Sequence, residues 1–171
     1  MRVLIFLILS SFIIISCTNN ESTGIGINSR ISACGGFGDI NTIVKSNNPE
    51  DETCNEVLNW KYNSESNIIS LQNDNVGLNC CGEHSINVKK IDGKYVVTEI
   101  DNSENGARCG CMCSFSYAID IPDIKSNSID IILKRDVEES DIETVLETTI
   151  DLSENNGSVL IKEQSGYICH D

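Results

Sequence analysis

Basic residues are scarce in this chain of 171 residues: 12 Lys and Arg stand against 26 Asp and Glu, for a formal charge of −14 at pH 7. So acidic a chain does not hold nucleic acid through phosphate contacts, which draw on clustered Lys and Arg. Histidine is nearly missing as well, with 2 in all, His84 and His170, neither beside a nucleophile motif. A Ser–His–Asp hydrolase therefore has little to build on. There is no glycine-rich phosphate loop and no dinucleotide fingerprint. The lack of any Cys-x-x-Cys pair removes the usual low-pKa arrangement of a thiol oxidoreductase. A single Trp is thin provision for a sugar-cleaving cleft, and acid runs such as Asp136-Val137-Glu138-Glu139-Ser140-Asp141 lack EF-hand spacing. With only 2 Pro, long stretches are free to enter β ladders.

What is present begins at the N-terminus. Met1-Arg2 precedes an almost unbroken apolar run from Val3 to Ile15. That run suits a signal-peptide core and is short of the ~20 residues of a membrane span. The segment Ile14-Ile15-Ser16-Cys17 resembles the lipobox of bacterial lipoproteins, although Ile15 stands where a small residue is more usual. The resemblance implies that the Cys17 thiol takes a diacylglycerol and that residues 1–16 are removed as a lipoprotein signal peptide. The alternatives are a secretory peptide cut elsewhere, or an uncleaved anchor. Two or more acyl chains suffice for stable membrane attachment. Thr18 rather than Asp follows the Cys, which by the same resemblance implies the outer membrane in a Gram-negative cell, periplasmic or surface-facing.

Removing residues 1–16 leaves 155 residues, and losing Arg2 with them takes the charge to −15. That length is one domain's worth. Residues 17–30 read as the lipidated Cys and a polar, Gly-bearing tether, and residues 31–171 as a single domain. Such a surface meets a membrane through its lipid and leaves cations, basic proteins or neutral glycans as partners, none identified by the residues.

Of 9 Cys, assigning Cys17 to lipid leaves Cys34, Cys54, Cys80, Cys81, Cys109, Cys111, Cys113 and Cys169. An even number in an exported chain reads as a disulfide framework. The odd Cys is the one the lipid would use, so parity and lipobox support each other.

From Val57 onward the pattern is β. Leu58, Trp60 and Tyr62 alternate with polar residues, and Asn67 to Leu71 is a second strand. Ser85 to Ile91 and Lys94 to Ile100 flank Asp92-Gly93, a hairpin signal. Arg108 to Ile121 and Ser128 to Val137 follow. Residues 140–152 fit a capping box at Ser140 and Glu143, but Ile142, Leu146, Ile150 and Leu152 alternate with a period of two, and strand is the stronger reading. Asn155-Asn156-Gly157-Ser158 turns the chain into Val159 to Lys162. One short helix is expected after Asn48-Pro49. Seven to eight short strands point to an all-β, antiparallel β-sandwich.

In an extended Arg108–Ile121 strand, Cys109, Cys111 and Cys113 share one face with Phe115 and Tyr117, with neighbouring thiols ~6.5–7 Å apart at Cα. Each should then bridge to a different partner rather than to the next. One scheme pairs Cys34 with Cys54, and lets Cys80, Cys81 and Cys169 share the three strand thiols. Gly82 allows a turn that redirects one of the vicinal pair. The competing reading is a Zn or Cu site drawing on Cys80, Cys81, His84, Cys109, Cys111 and Cys113. Oxidising export favours disulfides.

The segments Cys54 with Leu58-Asn59-Trp60-Lys61-Tyr62, Asn79-Cys80-Cys81-Gly82, and Arg108-Cys109-Gly110-Cys111-Met112-Cys113 are similar to those of a set of uncharacterised bacterial lipoproteins. The resemblance covers residues 54–121, under half the chain. It implies a β-rich envelope domain and brings no activity. The expected function is a lipid-anchored, non-enzymatic structural or binding module without cofactor. An envelope metal-binding lipoprotein is the alternative and a small hydrolase the weaker one.

Overall fold

Alternating side chains broken by Asn, Asp and Gly fold as strands, because a pleated chain sends successive side chains to opposite faces. A computed structural model describes residues 24–37, 55–103, 108–138 and 140–163. Within them lie nine strands and no helix: β1 (Ile27–Ile31), β2 (Glu56–Asn63), β3 (Ile68–Asn79), β4 (Gly82–Ile91), β5 (Lys94–Ser103), β6 (Met112–Ile121), β7 (Ser128–Val137), β8 (Glu143–Asp151) and β9 (Asn156–Lys162). They form a sandwich of two sheets, ordered β1-β6-β3-β2-β9 and β4-β5-β7-β8. The expected signal peptide of residues 1–16, Cys17, the expected helix after Asn48, Cys54, Cys169 and His170 all lie outside the described residues.

The all-β sandwich is as expected, with one departure from antiparallel pairing. β5 and β7 run parallel, Tyr95 to Asp101 beside Ile131 to Val137. Between them the chain crosses to the other sheet as β6, so it re-enters running in the direction of β5. The Asp92-Gly93 hairpin forms where the sequence puts it. Both residues have positive φ, 49° and 86°, which a two-residue turn matched to strand twist requires.

Three elements differ from expectation. Residues 27–30, placed in the tether, belong to β1, an exposed edge strand paired to β6 through Ile27–Asp120, Arg30–Ala118 and Ile31–Tyr117. Backbone bonds hold it there, so it shows little apolar alternation. β3 runs eight residues past Leu71. Its inward phase of Ile69, Leu71 and Asn73 resumes one position late at Val76 and Leu78, because a bulge lies between Asn73 and Val76 and Asn75 takes a φ of 62°. In β8, Leu146 and Ile150 turn inward, but a second bulge opposite Leu133 and Lys134 ends that phase. Ile142 is consequently 57% exposed.

The interior is layered along the strands. One apolar cluster includes Leu58, Ile69, Leu71, Ile121, Ile131 and Leu133; each fully buried aliphatic side chain contributes about 1.5–3 kcal/mol. A smaller cluster of Val76, Leu78, Cys113, Phe115 and Tyr117 sits nearer the other end. Glu56, Asn73 and Glu99 are also buried, and they meet Arg135. Its Nη2 donates to Glu56 Oε1 at 2.5 Å and to Glu99 Oε2 at 2.9 Å. Asn73 Nδ2 donates to both carboxylates, at 3.0 and 2.8 Å. One guanidinium thus serves two carboxylates, one from each sheet.

Burial pushes the Glu99 carboxyl above its ordinary value of 4.5; Arg135 and Asn73 oppose the rise and Glu56 adds to it. Between the ordinary and the raised value the folded chain therefore binds this proton more tightly than the unfolded chain does. Glu99's contribution to stability is complete below pH 4.5 and is lost as pH rises towards the raised value. The slope is at most about 1.4 kcal/mol per pH unit. Denaturation midpoints measured from pH 4 to 8 should lose this component in Glu99→Gln. An unchanged slope in that variant would assign the titration to another group.

Candidate functional site at the cystine-bearing end

Cys80 and Cys81 form the turn by which the chain leaves β3 and enters β4, and so passes from one sheet to the other. Residues 108–111 form an irregular stretch just before β6, at the end of the return crossing. Bridges Cys80–Cys111 and Cys81–Cys109 fasten the two crossings together, with Cα atoms 5.8 and 5.7 Å apart. The third bridge, Cys34–Cys113, spans 5.6 Å at Cα and 79 positions in sequence. It ties the loop after β1 to the buried start of β6. Normal bridge geometry covers such separations, and each bridge stabilises the fold by about 2–4 kcal/mol, chiefly by restricting the unfolded chain.

These pairings correct two expectations. Cys34 joins Cys113, not Cys54: the β1–β6 ladder carries it alongside the start of β6. Cys109 and Cys111 do not continue a buried strand stripe, since β6 begins at Met112 and only Cys113, 3% exposed, sits in the core. The physical cause is the tight two-residue corner opposite. Cys80 and Cys81 draw both sulfurs toward one spot, which alternate positions of an extended strand cannot reach. Cys109 Sγ and Cys111 Sγ lie 3.3 Å apart, and Cys109 Sγ is 4.0 Å from Cys80 Sγ.

Asn79 clamps the same corner without sulfur. Its Oδ1 accepts the Cys81 and Cys109 backbone N–H groups at 3.1 and 3.4 Å, and its Nδ2 donates to the Cys109 carbonyl at 2.7 Å. The Cys80 N–H reaches the Cys111 carbonyl at 3.4 Å. Sequence reading passed over Asn79 as a bonding group; its place before a turn, where Asn side chains bond nearby backbone, was the available signal.

Beneath the bridges lies a buried polar chain. Arg108 donates to Asp101 Oδ2 at 2.8 Å and to the Asp101 carbonyl at 2.9 Å. Asp101 Oδ1 is 3.6 Å from His84 Nδ1, which shares a 3.0 Å hydrogen bond with the Tyr117 hydroxyl. Burial, with Glu99 and Asp101 adding to it, pushes the Tyr117 hydroxyl well above the ordinary phenol range, so it stays protonated. The His84 ring packs on Phe115 with centroids 4.2 Å apart, and its Nε2 is buried without a partner among the described residues. Gly82 makes room for this group, because a Cβ there would collide with the Asp101 carboxylate and His84 Cε1.

His84 is thus an interior residue rather than a surface or turn histidine. Its side chain is 8% exposed. Among the described residues it meets tyrosine and aspartate, with no serine hydroxyl or thiol bonded to it. Of the six residues weighed as metal ligands, Cys80, Cys81, Cys109 and Cys111 come together, but as two bridges, Cys80–Cys111 and Cys81–Cys109. Cys113 is bonded to Cys34, and His84 faces inward.

No protein-family model matches this chain, and neither curated proteins nor solved structures yield a match.

The bridges predict a specific labelling pattern. In the full chain carrying Cys17→Ser, denatured without reductant and treated with a thiol reagent, Cys34, Cys80, Cys81, Cys109, Cys111 and Cys113 should stay unlabelled by peptide mass mapping. Stoichiometric label on those six would overturn the pairing.

Proposed function

We propose that this chain is an exported lipoprotein of the bacterial envelope, tethered through Cys17, whose β-sandwich works as a non-enzymatic structural or binding module. The observation carrying the proposal is the cystine framework, with three bridges closing over six cysteines among the described residues. Such bridges persist in oxidising, extracytoplasmic compartments and are rare in the cytosol. They support the export reading of residues 1–17.

A rigid stapled scaffold also suits ligand binding at loops. At the end of the sandwich away from the bridges, a groove of about 620 Å³ is lined by Tyr62, Ser64, Asn67, Lys125, Asn127 and Asp151, among others. Cross-loop bonds hold its floor: Ile124 N–H to the Asn67 carbonyl at 3.0 Å, and Leu152 N–H to the Asn127 carbonyl at 2.8 Å. Hydroxyls, amides, one tyrosine ring and the oppositely charged Lys125 and Asp151 fit a hydroxyl-bearing ligand of glycan type.

The anchor is tested first. Intact mass and N-terminal mapping of the protein from bacterial membranes should give a mature chain starting at acylated Cys17, and Cys17→Ser should lose the acyl mass. A different mature N-terminus, or acylation unchanged in Cys17→Ser, would remove the lipoprotein reading.

A further inference from the structure

We propose that His84 is a proton-driven partner switch beneath the bridges: uncharged, its Nδ1 accepts from Tyr117; protonated, the same nitrogen donates to Asp101. The His84 and Asp101 side chains are 8% and 1% exposed, so the exchange takes place away from solvent. Burial, with Glu99 and Asp101 nearby, keeps the Tyr117 hydroxyl protonated. At 3.0 Å from Nδ1, and with no other acceptor for it among the described residues, that hydroxyl is the donor of the pair. The uncharged ring therefore carries its own hydrogen on Nε2.

That arrangement leaves buried groups unspent. His84 Nε2 and Asp101 Oδ1 both lack a hydrogen-bond partner among the described residues, and unmade bonds in an interior are costly. Asp101 Oδ1 lies 3.6 Å from His84 Nδ1, just beyond hydrogen-bond reach. Its other oxygen is already engaged by Arg108 at 2.8 Å. A proton on Nδ1 turns the nitrogen into a donor and supplies the idle oxygen with a cation. The carboxylate then holds one cation on each oxygen.

The charged and titratable groups around the ring come from each neighbouring element. Asp101 and, through Tyr117, Glu99 belong to β5; Tyr117 belongs to β6; Arg108 comes from the stretch before β6. Arg135 on β7 bears on Tyr117 from further in. On β1, Arg30 lies over the Phe37 ring instead, and Glu83 takes the opposite face of β4. The bridged cysteines do not titrate. The proton comes from solvent and adds at Nδ1, the Tyr117 O–H rotates off the ring, and no covalent bond between heavy atoms changes. Charging the ring ties β4 through Asp101 to Arg108, and so to the stretch that carries Cys109 and Cys111. Acidification thus tightens the cystine-bearing end.

The test is a nitrogen-resolved NMR titration of the histidine rings in the full chain, in detergent with its bridges intact. It runs from about pH 8 to about pH 5, across the ordinary histidine transition, and His170→Gln assigns the two rings. Nδ1 of His84 should pass from an acceptor nitrogen to an N–H while the backbone spectrum stays folded. Asp101→Asn should move the midpoint to lower pH by about one unit or more, because the counter-ion is gone. Tyr117→Phe removes the bond to the uncharged ring and should move the midpoint to higher pH. Circular dichroism checks both variants. If Asp101→Asn does not fold, Tyr117→Phe and the identity of the titrating nitrogen still decide the matter. Protonation at Nε2, a ring that charges only as the sheet unfolds, or a Tyr117→Phe midpoint that is unmoved or lower would overturn the switch.

Discussion

The guanidinium of Arg135 is the contact on which the sandwich turns. It stands on β7 where the main apolar cluster stops, and it reaches Glu56 on the opposite sheet and Glu99 on its own. Two buried carboxylates without it would face each other in a medium that penalises charge. Removing one partner from such a buried group typically costs about 3–5 kcal/mol. Its presence explains why an interior layer of Glu, Asn and Arg can separate two apolar clusters without parting the sheets.

That polar layer also sets the character of the cystine-bearing end. Glu99 and Asp101 lie two residues apart on β5, so both point into the sandwich. Asp101 extends the buried network to His84, Tyr117 and Arg108, and Arg108 in turn anchors the stretch carrying Cys109 and Cys111. Bridges, amide clamp and ion pair all hold the same two sheet crossings. Covalent and hydrogen-bonded constraints thus act together at this corner.

Much of the strand layout was legible in the chain. Ser128–Val137 is read with its observed ends, and the Asp92-Gly93 turn announced its hairpin, because period-two alternation and positive-φ turn residues are local signals. The misses share a cause. The second half of β3 was hidden by a bulge that shifts the inward phase by one residue. The short edge strand β1 is held by backbone pairing and carries little side-chain signal. At the site, the cysteines were visible as a cluster, but Asn79, Arg108 and the buried setting of His84 were not. Their roles depend on two sheet crossings meeting in space.

The sequence by itself determined the acidic character, the richness in cysteine and the β class, since each follows from residue types and short-range spacing. Tertiary structure decided which cysteines meet. Partner choice among distant thiols depends on which strands lie beside one another. Cys34 reaches Cys113 because β1 pairs with β6, and Cys80 and Cys81 reach Cys111 and Cys109 because one corner leaves a sheet where the other returns. Spacing along the chain carries none of that information, because it depends on how strands are ordered within each sheet and how the two sheets are laid together.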